Sequence, residues 1–143
     1  QDEQYASYSI REKMLAFYFT WIEYIKSYKT YLEVIFRHAH LWQVWPGEWD
    51  PMKVQFGKFI REIIEEGKIS GEVADRMLVT DHYHRAIWMQ FVFVHRFWLR
   101  DKSAGSEDTD AAIEKAVNFG MDLMERNTID SFLDLSKFVA QKW

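Results

Sequence analysis

Residues 81–101 read DHYHRAIWMQFVFVHRFWLRD. At about 100° per residue on a helix, Arg85, Arg96 and Arg100 fall in one narrow stripe. Ala86, Ile87, Trp88, Met89, Phe91, Val92, Phe93, Val94, Phe97, Trp98 and Leu99 cover nearly all of the remaining surface. A helix that is apolar almost all round is a buried one, so this pattern predicts a central helix with the others wrapped around it. It does not predict a membrane span. The apolar run from Ala86 is interrupted at Gln90 and ends at His95, well short of the ~20 residues that a bilayer requires.

Upstream, Ser9 followed by Glu12 reads as a capping box that opens a first helix. Its stripe is Ile10, Met14, Phe17, Trp21, Ile25 and Tyr28, stepping by three and four. A second helix, residues 29–39, follows with almost no loop, buries Leu32, Ile35 and Phe36, and ends near His38 and His40. Pro46 and Gly47, crowded by Trp42, Trp45 and Trp49, break the chain. Asp50 then caps a third helix with Pro51 at its first position. Phe56, Phe59, Ile60, Ile63 and Ile64 form its inner side, and Gly67 is expected to end it. Residues 70–78 read as a short helix or turn, and residues 102–109 as a plain polar loop.

On a wheel of the fifth helix, residues 108–126, Ala112, Ile113, Ala116, Val117, Phe119, Gly120, Met121, Leu123 and Met124 fill an arc of about 200°, twice what a single core needs. Ala112, Ala116 and Gly120 recur every four residues and admit another backbone closely. This helix is expected to pack on its own domain with one side and on a second subunit with the other; the alternative is that two helices of the same chain cover it. The last helix, with Thr128 as N-cap and running to about residue 142, carries Ile129, Phe132, Leu133, Leu135, Val139 and Trp143 on one broad face and Phe138 outside it. The sum is an all-α fold, one domain over residues 1–143, with six or seven helices around a buried central one.

The bulk figures narrow the function. A formal charge of −4 argues against a nucleic-acid surface on this segment, and the Lys58–Glu62 and Arg61–Glu65 spacings read as a solvated helix face. With no cysteine, disulfides and thiolate metal sites are excluded, which fits a cytoplasmic protein. No signal or transit pattern is read, and a start at Gln1 is taken to mark a piece of something longer.

Of the histidines, none has Glu three residues before it, as a di-iron bundle would require. His82 and His84 point apart on a helix, and His84 and His95 share a face but lie about 16 Å apart along it. No metal site, no cofactor and no enzyme is expected, since nucleophile and phosphate-loop motifs are also missing. What remains is a pocket. His84, Trp88, Phe91 and His95 line one side of the central helix and Gln90 another, with Trp21, Tyr24 and Phe56 facing them from the first and third helices. Aromatic rings bracketed by imidazoles suit a small hydrophobic molecule with one or two polar groups; the alternative is that the histidines are satisfied core residues.

The helix order, EEGKISGEV at residues 65–73 and LRDKS at 99–103 ahead of the fifth helix resemble the C-terminal regulatory domain of tetracycline-repressor-like (TetR) transcription regulators. LDLSKF at residues 133–138 adds to that resemblance, which covers essentially the whole chain. It implies a homodimer whose last two helices form a four-helix bundle with their mates, and a cavity between the first helices and the central one that binds an inducer. It further implies DNA contact only through an N-terminal helix-turn-helix that this sequence lacks, and no membrane contact. The expected dimer residues are Ala112, Ile113, Ala116, Val117, Gly120, Met124, Phe132, Leu135 and Phe138. The competing function is a stand-alone hydrophobic-metabolite or lipid binding protein on the same scaffold.

Overall fold

The computed structural model of the chain describes residues 3–37, 50–75 and 80–142. The predicted histidine end of the second helix and the tryptophan-rich break lie outside the described residues. Among the described residues seven α-helices follow in order: α1 (Glu3–Ala6), α2 (Ile10–Ile25), α3 (Lys29–Arg37), α4 (Asp50–Ser70), α5 (Thr80–Arg100), α6 (Glu107–Met124) and α7 (Arg126–Lys142). The fold is all-α, as the periodicity predicts.

The start of α2 shows how local chemistry sets these boundaries. Ser9 Oγ accepts from the Glu12 N–H at 3.2 Å while the Ser9 N–H donates to Glu12 Oε2 at 2.7 Å, closing the predicted capping box. A distant residue completes it, because Glu72 Oε2 accepts from the Ile10 N–H at 3.0 Å. That bond gives the EEGKISGEV stretch a physical role. Gly71 turns the chain with φ +83°, a backbone state that suits glycine, and so presents Glu72 to the first turn of α2. Gly67 does not end α4, which runs on to Ser70. Gly67 is instead a close-approach site: a Cβ there would lie 2.4 Å from Val73 Cγ2 and 3.2 Å from Ile10 Cγ1.

Three further boundaries differ from expectation. Helix α2 stops at Ile25 and a 3-10 turn, Lys26–Tyr28, joins it to α3, which carries Tyr28 out of the apolar stripe to an exposed position. Helix α7 begins at Arg126, ahead of the predicted Thr128 cap. The segment after α5 is no plain loop. Asp101 Oδ1 accepts from Ser103 N and Oγ at 2.7 and 2.6 Å, and Asp101 Oδ2 accepts from Thr109 N and Oγ1 at 2.9 and 2.5 Å. One carboxylate thus turns the chain and caps α6, whose first turn would otherwise leave its amides unpaired. These bonds hold its pKa well below the usual carboxylate range, the Ser103 hydroxyl most, then that of Thr109.

The core is a single cluster in which Ile10, Met14 and Tyr18 of α2, Ile60 and Ile64 of α4, Phe91, Val94 and Trp98 of α5, and Ile113 and Val117 of α6 meet. Helix α5 packs against α3, α4 and α6, but it is not wrapped all round. Ala86, Met89, Phe93 and Phe97, spaced three and four apart, form an apolar row left open to solvent, with Met89 59% and Phe93 52% exposed. The wheel of α5 was apolar on both sides for two different reasons: one side is core, and the other is left largely open by the described residues.

Candidate functional site

The residues expected to line one cavity are divided by the fold among a packed floor and three surface grooves. The floor is aromatic. Phe91, fully buried, has its ring centroid 4.2 Å from that of Phe56, 4.1 Å from that of His95 and 5.4 Å from that of Trp88. His95 is a satisfied core histidine. Its Nε2 accepts from the Trp21 indole N–H at 2.5 Å, and its Nδ1–H donates to the Phe91 carbonyl at 2.6 Å, so both ring nitrogens are committed to the neutral tautomer. Burial pushes its pKa down to about 4, against the raising effect of the Phe91 carbonyl. A ligand therefore meets neither Phe91 nor the imidazole of His95 directly.

Trp21 and Tyr24 border a groove of about 420 Å³ with Phe17, Thr20 and Phe59, between α2 and α4. His84, Trp88 and Phe56 line a second groove of about 420 Å³ between α4 and α5, together with Lys53, Gly57, Ile60, Arg85 and Met89. Gln90 borders a third, of about 560 Å³, between α5 and α6, where Met89, Phe93, Ala116, Phe119 and Leu123 also lie. All three volumes suit a small molecule. They differ in chemistry: among the described residues the α5–α6 groove has no charged residue in its lining, whereas the α4–α5 groove carries Lys53, Arg85 and His84. Lys53 and Arg85 were missed because a wheel that searches for apolar arcs assigns cations to the solvated face. The signal available was the narrow arginine stripe of α5, of which Arg85 is the member beside His84 and Trp88.

Gln90 is a structural tie. Its Oε1 accepts from the Tyr18 hydroxyl at 3.0 Å and its Nε2 donates to the Ala116 carbonyl at 2.5 Å, linking α2, α5 and α6. Burial pushes the Tyr18 hydroxyl above the usual tyrosine range, so it remains a donor. The same bond explains the small-residue stripe of α6. A Cβ on Gly120 would lie 2.7 Å from Gln90 Nε2, so the close neighbour admitted at Ala116 and Gly120 is this chain's own α5. Ala112, Ile113, Val117 and Met124 are likewise buried within the chain, Ile113 at 0% exposure, and have no surface to offer a second subunit. Helices α2 and α5 cover most of the arc of α6. The remaining expected interface residues, Phe132, Leu135 and Phe138 on α7, are 66%, 59% and 58% exposed, and Phe119 on α6 is open as well.

Among the described residues no group of three His, Cys, Asp or Glu side chains is placed to hold a metal ion, and no helix is long and apolar enough to cross a membrane. Comparison with protein families matches the chain to the tetracyclin repressor-like, C-terminal domain over residues 13–139. The chain belongs to this family. No curated protein and no solved structure matches it. Domains of this TetR family serve transcription regulators as ligand-binding and dimerisation units, and against that background the grooves and the open apolar rows of α5, α6 and α7 are the features to account for.

Proposed function

We propose that this chain is the effector-sensing and dimerisation domain of a TetR-type regulator, a sensor and not a catalyst. In this reading a small, largely hydrophobic ligand occupies the groove between α4 and α5. Its binding governs DNA contact by an N-terminal helix-turn-helix domain of the same polypeptide. Two copies associate through α6 and α7. The observation that carries the dimer is the large apolar side chains that α7 leaves to solvent, Phe132, Leu135 and Phe138, with Phe119 open on α6. Chains that work as monomers seldom expose such rows.

The oligomeric state tests this reading. Light scattering at low micromolar concentration should give the mass of two chains for the wild type. The double variant Phe132→Asp/Phe138→Asp, altered only at exposed positions, should give the mass of one chain with unchanged helix content by circular dichroism. A monomeric wild type, or an unshifted mass for the variant, refutes the α7 interface. The gene sequence just upstream of Gln1 tests the regulatory half: a helix-turn-helix unit is expected, and a start codon at that point removes it.

A further inference from the structure

The groove between α4 and α5 departs from the character of the rest of the chain, and the departure names a ligand class. The chain as a whole carries a net charge of −4, yet among the described residues the charged side chains lining this groove are Lys53 and Arg85, with His84 beside them and no acid. Neither Lys53 nor Arg85 forms an ion pair among the described residues. Both are exposed, while Phe56 and Ile60 are buried, so the cations stand at the solvent end of an apolar recess. Lys53 is held in place: its Nζ lies 5.3 Å from the ring centroid of Trp88, over the indole that forms the recess wall. On the opposite wall the chain has omitted a side chain altogether, since a Cβ on Gly57 would meet nothing within 4 Å.

We propose that this groove takes an amphipathic anion. Its apolar body lies against Phe56, Ile60, Trp88 and Met89, and one compact acidic head, a carboxylate or a phosphate, sits among Lys53, Arg85 and His84. Arginine offers a forked pair of donors to such a head and lysine a point charge, so the two together fit an anion of either kind. A neutral hydrophobic molecule would leave the cations with water and gain nothing from them. This inference rests on the reading of the α4–α5 groove as the ligand site, and refines it by charge.

Isothermal titration calorimetry with decanoate, decyl phosphate and decanol tests the class. The two anions should bind, and decanol should bind roughly tenfold more weakly or worse, the usual worth of a hydrogen bond to a charged group. The tighter of the two acids identifies the head. Lys53→Gln/Arg85→Gln should remove the preference, whereas Lys115→Gln, which removes an exposed charge on α6, should leave it intact. Gly57→Leu fills the recess and should abolish binding of all three while the unfolding midpoint stays level or rises. Equal affinity for decanol and decanoate overturns the anionic class but leaves the groove as the ligand site. Undiminished binding by Gly57→Leu overturns the groove itself, and with it the ligand half of the proposed function. No binding by any of the three overturns the class and the groove together.

Discussion

The neutral, fully committed imidazole of His95 makes acid sensitivity a direct test of how the centre of the domain is packed. Its pKa of about 4 in the folded chain lies below the 6.5 of a free histidine because burial disfavours the charged ring. The unfolded chain therefore takes up the proton first as the pH falls. The stability that His95 contributes is complete above pH 6.5 and drains away as the pH approaches 4. A gap of that size is worth about 3 kcal/mol in full, and about 2 kcal/mol of it is lost between pH 7.5 and pH 5. His95→Gln keeps an oxygen that can accept from the Trp21 indole but removes the titration. Urea unfolding of both proteins at the two pH values, at one fixed chain concentration so that association does not enter, should show the wild type losing about 2 kcal/mol more than the variant on acidification. Parallel losses would refute the reasoning: His95 would then be open to water, as the wall of a hydrated cavity would be, and the aromatic floor would not be the dry layer described above.

The same substitution should have opposite signs at two glycines of α4. Gly67→Ala drives a methyl against Val73 and should cost about 1 to 3 kcal/mol, while Gly57→Ala meets nothing and should stabilise by about 0.5 to 1 kcal/mol through helix propensity; thermal melts of both against wild type suffice. Asp101→Ala strips the cap of α6 and leaves the fully buried Thr109 hydroxyl without its acceptor, so a lowered unfolding midpoint is expected by urea titration. The buried Lys13, paired with the half-exposed Glu66 and lying 5.2 Å from the Tyr5 ring centroid, should show an asymmetry. Lys13→Met should change stability by less than about 1 kcal/mol, whereas Glu66→Ala, which strands the ammonium, should cost more in the same melts. Equal losses would remove the argument from desolvation.

What the sequence revealed depended on whether the cause was local. The capping box at Ser9 and Glu12 was legible because all its atoms come from one turn, and the stripe through Ile10, Met14 and Trp21 because a helix repeats within its own length. The Glu72 cap on Ile10 and the Asp101 cap on Thr109 were not, since each depends on chain segments that only the tertiary fold brings together. A wheel reports that a side chain must leave water, not who covers it. Ile113 and Phe119 stood in the same arc of α6, yet the first is sealed within its own chain and the second is open. The predicted pocket failed as a single object for a related reason. His84 and His95 share a face of α5, but α4 leaves the first at a groove while Trp21 of α2 closes over the second. The cations of that groove, Lys53 and Arg85, come from different helices, and no periodicity within either marks them as neighbours.

The central helix owes its two-sided pattern to its place between two grooves of opposite chemistry. His84, Arg85 and Trp88 turn toward α4, while Ala86, Gln90 and Phe93 turn toward α6; Met89 lines both grooves. On the proposed reading, a ligand against Trp88 and Met89 and a second copy near the open row of Met89 and Phe93 bear on the same turn of one rigid rod. That rod cannot shift freely, because Gln90 ties it to Tyr18 on one side and to the Ala116 carbonyl on the other. Movement of α5 must therefore carry α6 and α2 with it or break a bond to one of them, and losing the α2 bond leaves a buried tyrosine hydroxyl unpaired. Carrying both neighbours is the cheaper course. It moves Phe119 and the start of α7, which are the surfaces assigned to the mate. Ligand affinity and dimer affinity are then two readings of one equilibrium, and linkage requires that ligand and mate alter each other's affinity by the same factor. The apolar character of residues 86–99 on both sides follows from that position: one side builds the core, and the other is the part of α5 left for contacts beyond it.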